Sequence, residues 1–171
     1  MRREAEGVYT GDLAACPGDH QLNHPIGTAL GRVCVVHACK YPCHVAKCGK
    51  VRKDSPNYLS LAEEYALWLN MIDPEAPLFQ LETFKVFFDW AGPRWRAGKT
   101  ILIHCNQGES RSRSLAMLLM LQHGLLGAEP WPQFPTHTDA AQAFGDVTGR
   151  PLLAGAGITT FLSQHWEELL T

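Results

Sequence analysis

Residues 103–112, IHCNQGESRS, decide how this chain is read. They place Cys105 and Arg111 with five residues between them, joining a β-branched apolar run (residues 100–104) to an almost wholly apolar helical run (residues 115–121). A strand therefore feeds a tight loop containing Gly108, and the loop opens directly into a buried helix. Backbone N–H groups of such a loop, with the unpaired N–H groups and positive dipole end of the helix, converge on one point and hold a tetrahedral oxyanion. Asn106, Gln107, Gly108, Glu109, Ser110 and Arg111 are thus the candidate phosphate-binding residues, for phosphate or a mimic such as vanadate. Cys105 sits at the focus, where the same field stabilises a thiolate and makes it a nucleophile at neutral pH. Arg111 closes the loop and can fork two N–H groups onto two equatorial oxygens. The Ser112 hydroxyl can donate to the sulfur when the thiolate leaves again. Taken singly, a cysteine at a strand end is usually a small core hydrophobe. It is the spacing, within a strand–loop–helix context, that points to a site.

Composition bounds the rest. A chain of 171 residues, 46% of them hydrophobic, is enough for one core and short for two, so residues 1–171 read as a single domain. A net charge of −2 argues against a strongly basic nucleic-acid binder. No apolar run reaches the roughly 18 to 20 residues of a membrane span. MRREAEG is followed by VYTGD rather than an apolar stretch, so no signal peptide is expected and the expected location is cytoplasmic. In that reducing compartment the six cysteines, at 16, 34, 39, 43, 48 and 105, should be thiols or ligands.

Apolar runs around Val8-Tyr9 and at 33–36, 67–72 and 100–104 read as strands, each followed by turn or helical signals. The expected fold is α/β, a central, largely parallel sheet flanked by helices. Residues 78–90 are helical in pattern, with Leu81, Phe84, Phe88 and Ala91 marking a core stripe that ends before Gly92-Pro93. The helix after the cysteine loop is apolar nearly all round; it should be the central buried helix, stopping at Gly124. Residues 129–157, with Pro130, Pro132, Pro135 and Pro151, read as loop and carry no assignable chemistry.

Cleaving a phosphate ester with a thiolate requires a proton for the departing oxygen. Asp73 is the candidate donor, because it ends the run 67–72 in a turn with Pro74, and parallel strands gather their C-terminal loops around the site. Glu75 is the runner-up, and Asp89 falls within the expected helix. No step written this way calls for a metal or cofactor.

The segment HCNQGESRS resembles the phosphate-binding loop of cysteine-dependent protein phosphatases, specifically the small dual-specificity class. GVYTGDLAAC (7–16) resembles the family's opening strand and GRVCVVHACK (31–40) the strand and loop flanking the pocket. YALWLNMIDP (65–74) resembles the strand leading into the general-acid loop, and FLSQHWEEL (161–169) a terminal helix. HACKYPCH, LNMIDP and HCNQGESRS further resemble bacterial and phage-encoded members. The resemblance implies a phosphorylated protein or peptide as substrate, Asp73 as general acid, and His104 as a residue organising the loop through hydrogen bonds. Glu109 departs from a neutral loop, and a carboxylate at the rim is expected to repel polyphosphoinositides and 5′-triphosphate RNA.

A second cluster, HACKYPCHVAKC, holds His37, Cys39, Cys43, His44 and Cys48. It has enough ligands for a structural zinc but lacks Cys-x2-Cys spacing and a partner pair. The alternative is a loop bordering the pocket, with Lys40, Lys47, Lys50, Arg52 and Lys53 attracting an anionic substrate. Two other functions stay open at this point: a phosphopeptide-binding adaptor with an inactive loop, and a zinc- or redox-responsive module built on this cluster.

Overall fold

The computed structural model describes residues 1–16, 33–127 and 134–170. Gly31 and Arg32 of the pocket-flanking segment, and Pro130 and Pro132 of the loop-like stretch, lie outside them. The described strands form one sheet: β1 (Arg2–Ala5), β2 (Val8–Gly11), β3 (Val33–His37), β4 (Ser60–Ala62), β5 (Ala66–Leu69) and β6 (Thr100–His104). Their spatial order is β1-β2-β6-β3-β5-β4. The four inner strands run parallel, and β1 and β4 close the edges antiparallel. The helices are α1 (Val45–Cys48), α2 (Leu81–Arg96), α3 (Arg111–Gln122), α4 (His137–Thr148), α5 (Ala156–Gln164) and α6 (Trp166–Leu170). The architecture is the expected α/β one. No helix among the described residues is long and apolar enough to cross a membrane.

Side-chain alternation along the strands sorts the two faces of the sheet. Ile101 and Ile103 of β6, Cys34 and Val36 of β3, and Leu67 and Leu69 of β5 enter the main core, where they meet Phe84, Phe87 and Phe88 of α2 and residues 115–121 of α3. The residues between them point the other way. Trp68 packs there with Cys39 and Cys43, His37 stacks on Trp68 at 5.1 Å, and His104 meets His37 edge-on at 4.7 Å. His104 and Cys105, neighbours in sequence, consequently serve opposite sides of the sheet.

Helix α3 is buried on every side, as its composition predicts, and ends at Gln122. Four expectations need correction. Helix α2 does not stop before Gly92-Pro93 but runs on to Arg96. Pro93 lies on its exposed side. Tertiary contacts hold the last turn: Trp90 Nε1 donates to Glu63 O at 2.8 Å, Arg94 Nε to Glu64 O at 3.0 Å, and Trp95 Nε1 to Glu6 O at 3.0 Å. Those contacts offset the roughly 3 kcal/mol that a proline costs inside a helix.

Helix α4 falls inside the stretch that read as loop. Thr136 and Asp139 form a capping box, and His137, Ala140 and Phe144 turn inward. Three buried positions among polar residues make a weak periodic signal, and the flanking prolines dominated it. The segment 161–169 is two helices, broken at His165, whose Nδ1 pairs with Glu168 Oε1 at 2.9 Å. Strand β5 also ends early, at Leu69; Asn70 turns out and its Nδ2 donates to Tyr58 O at 2.7 Å.

The charged sequence RREA conceals β1. Its Glu4 is buried against Arg113 of α3, Nε to Oε1 at 3.2 Å, with both side chains 0% exposed. Thr10 donates to the same oxygen at 2.6 Å, and Arg113 reaches Thr148 Oγ1, Arg150 O and Pro151 O at the end of α4. Burial pushes the Arg113 guanidinium below its ordinary range, with Glu4 opposing that shift. Removing one partner of such a pair strands the other in the core at about 3–5 kcal/mol. This pair ties the cysteine-loop helix to the sheet edge and to α4.

Candidate active site

The apolar strand β6 ends at His104, and residues 105–110 turn into α3. Gly108 takes φ +76°, and a Cβ there would lie 2.9 Å from Asp12 N and from Gly11 C, so only glycine lets the loop lie against the end of β2. The loop is also stitched to that strand: Cys105 N donates to Gly11 O at 3.2 Å, and Leu13 N to Asn106 O at 3.3 Å.

Cys105 is 1% exposed. Its sulfur accepts the Gly108 N–H at 3.2 Å and donates to Ser112 Oγ at 3.3 Å. A loop amide and the Ser112 hydroxyl thus both lie against the sulfur. Arg111 is held in place from several sides. Nη1 donates to Ala38 O (3.2 Å) and Met71 O (3.0 Å), and Nη2 to Asn106 Oδ1 (2.9 Å). Asn106 Nδ2 in turn donates to Tyr41 O at 2.8 Å. The guanidinium is therefore pre-positioned by the ends of the segments that follow β3 and β5.

Asp73 joins this group from the loop after β5, its side chain 24% exposed and its Oδ2 3.6 Å from Arg111 Nε. Ser110 Oγ donates to Asp73 Oδ1 at 3.1 Å and accepts Gly155 N–H at 2.9 Å. Ser110 stands at the N-cap of α3 without capping it, so its hydroxyl orients the carboxylate and leaves the helix N–H groups uncapped by it. Glu75 is exposed and makes none of these contacts; Asp89 lies on the exposed side of α2.

The start of α5 contributes what the sequence did not reveal. A Cβ on Gly155 would lie 2.7 Å from Asp73 Oδ1, and one on Gly157 would run into the carbonyl oxygens of Pro74 and Ala76. These glycines let α5 press the Asp73 loop toward the cysteine loop. A Gly-Ala-Gly run ahead of an apolar helix was the available signal. Gly157→Ala should push the loop outward and lower turnover of a phosphotyrosine peptide about 10- to 100-fold. The loss should be much smaller for an aryl ester with an acidic leaving group, and comparing the two substrates separates misplacement of Asp73 from general damage.

Glu109 does not present a bare charge at the rim. Its Oε1 pairs with Arg150 Nη1 at 3.1 Å, which removes most of the basis for rejecting polyanions on charge. The basic run is likewise partly neutralised. Lys47 pairs with Glu63 at 2.6 Å and lies over Trp68, and Arg52 pairs with Asp54 at 3.4 Å on the exposed surface.

The histidine–cysteine segment is taken apart by the fold. His44 turns to Asn57 O at 3.0 Å, and Cys48 lies at the end of α1. His37 and Cys43 instead converge with two residues from elsewhere, Cys16 and His104, on the reverse face of the sheet. His104 Nε2 lies 2.6 Å from His37 Nδ1 and 4.0 Å from Cys43 Sγ; Cys16 Sγ lies 3.7 Å from both His37 Nδ1 and Cys43 Sγ. The contact with Cys43 pulls the Cys16 thiol well below its ordinary range and pushes Cys43 well above it. Cys39, beside Cys43, is lowered to about 7 by the same neighbour.

No protein-family model and no curated protein sequence matches the chain. Solved structures do. The chain superposes on the human tyrosine phosphatase-like serine/threonine/tyrosine-interacting protein with TM-score 0.62 at 14% identity, covering 100% of this chain and 98% of that one. On human DUSP28 the TM-score is 0.62 at 19% identity, covering 99% and 97%. On PTPMT1, solved in complex with PI(5)P, it is 0.60 at 14% identity, covering 98% and 95%. The fold is therefore the one shared by tyrosine and dual-specificity phosphatases and their phosphatase-like relatives.

Proposed function

We propose that this protein hydrolyses phosphate monoesters of phosphorylated proteins, phosphotyrosine and also phosphoserine or phosphothreonine, through a cysteinyl-phosphate intermediate. The observation that carries this is that Asp73, from the loop after β5, meets Arg111 and Ser110 of the loop that holds Cys105. Cys105 Sγ attacks phosphorus in line with the departing oxygen. The S–P bond forms as the P–O bond breaks, and Asp73 gives its proton to the leaving oxygen. Arg111 and the amides of residues 106–111 hold the equatorial oxygens and the charge they carry. Water then attacks phosphorus, Asp73 takes its proton, and the sulfur leaves with the Ser112 hydroxyl donating to it. The likeness of HACKYPCH and LNMIDP to bacterial and phage-encoded enzymes, and a cytoplasmic location, belong to the same proposal.

A phosphopeptide-binding adaptor is the second reading, favoured by the fold's likeness to a phosphatase-like interacting protein. Turnover of an aryl phosphate, inhibited by vanadate, supports hydrolysis. Tight phosphopeptide binding with no turnover by the wild-type chain would instead establish the adaptor.

The Glu109–Arg150 pair bears on substrate choice. Glu109→Lys breaks it and leaves two cations at the rim, so hydrolysis of a phosphoinositide relative to a phosphotyrosine peptide should rise, and the gain should shrink at high salt. An unchanged ratio would mean that neither side chain of the pair meets the substrate.

A further inference from the structure

We propose that Cys16, His37, Cys43 and His104 form a tetrahedral structural zinc site on the reverse face of the sheet, against the root of the cysteine loop. Two sulfurs and two imidazole nitrogens lie within 4.8 Å of one another there. With Zn–S near 2.3 Å and Zn–N near 2.0–2.1 Å, a tetrahedron has edges of about 3.8 Å for S···S, about 3.6 Å for S···N and about 3.3 Å for N···N. The observed S···S edge is 3.7 Å, and two of the four S···N edges are 3.7 and 4.0 Å, the others lying within 4.8 Å. The two imidazole nitrogens, at 2.6 Å, must open by about 0.7 Å to admit the ion.

The sheet explains how four distant residues meet. His37 and His104 are paired in register across β3 and β6, and Gly11 of β2 flanks His104 on the other side. Cys16 follows β2 through one short turn (Leu13–Ala15), and Cys43 returns in the turn after β3. Three adjacent parallel strands thus deliver their C-terminal ends to one point. His37 and His104 are 0% exposed and Cys43 2%. Two thiolates cancel the charge of Zn²⁺, so binding releases two protons and leaves a neutral centre suited to that burial. Soft sulfur and imidazole donors in this geometry select zinc over magnesium or calcium. All four positions are filled by protein, which marks a structural centre rather than a catalytic one. Its role is to pin the ends of β2, β3 and β6 together one residue before Cys105.

The test is metal content and spectroscopy of the full chain, read without reference to turnover, so that failure of the phosphatase reading leaves the result intact. Protein purified under reducing conditions without chelator should carry one zinc per chain. Replacement by Co²⁺ should give the intense visible bands of a tetrahedral site together with thiolate charge transfer. Removing the metal should lower Tm by on the order of 10 °C. Cys16→Ser and Cys43→Ser should lose the metal, and Cys48→Ser, outside the cluster, should keep it. Reduced wild-type protein that takes up neither zinc nor cobalt would overturn the proposal whether or not the serine variants fold. So would a Cys16–Cys43 disulfide found in the freshly isolated protein, or loss of metal in Cys48→Ser with retention in Cys16→Ser.

Discussion

Cys105→Ser should abolish turnover, by roughly 10⁴-fold or more, while the fold and the binding of phosphate persist. The substitution changes one atom, and serine fits the buried position between the Gly108 N–H and the Ser112 hydroxyl. What is lost is the sulfur nucleophile, in whose place stands a serine hydroxyl that is un-ionised and weakly nucleophilic at neutral pH. The anion-binding amides and Arg111, held by Ala38 O, Met71 O and Asn106, are untouched, so vanadate or phosphate should still bind. Single-turnover assays and calorimetric titration of the variant with phosphate check both halves. Wild-type-like turnover by the serine variant would falsify the thiolate mechanism.

Asp73→Asn should lower turnover of a phosphotyrosine peptide by roughly 10²- to 10⁴-fold with little change in KM. Asparagine keeps the size of the side chain and can still accept from Ser110, but it has no proton to give to the departing phenolate. The deficit should shrink as the leaving group becomes more acidic, since such an oxygen departs unprotonated. A series of aryl phosphates therefore distinguishes loss of a proton donor from collapse of the loop that Gly155 and Gly157 hold. Full activity of the variant on phosphotyrosine would move the role to another carboxylate, Glu75 first among them.

The cysteine loop was legible in the sequence because its chemistry is local. Strand, loop glycine, Cys105, Arg111, Ser112 and the buried helix follow one another within a short stretch, and hydrophobic patterning alone places them. The inner strands and α2 were legible for the same reason. Local signals failed where stability comes from elsewhere in the chain. Helix α2 continues through Pro93 because Trp90, Arg94 and Trp95 find partners outside it. RREA forms a strand because Glu4 meets Arg113, more than a hundred residues away. Helix α4 carries too few apolar positions to stand out between prolines.

By itself the sequence determined a largely parallel α/β sheet, a strand–loop–helix unit carrying Cys105 and Arg111, and an aspartate in the loop after another strand. Tertiary structure alone decided the rest. It pressed Gly155 and Gly157 against the loop of Asp73, turned Glu109 onto Arg150, and replaced the contiguous cluster at 37–48 with Cys16, His37, Cys43 and His104. The physical reason is the same in each case. Packing between elements far apart in sequence, through strand register at His37 and His104 and through helix and loop contacts at Gly157 and Arg150, chooses which residues meet, and no spacing along the chain records that choice.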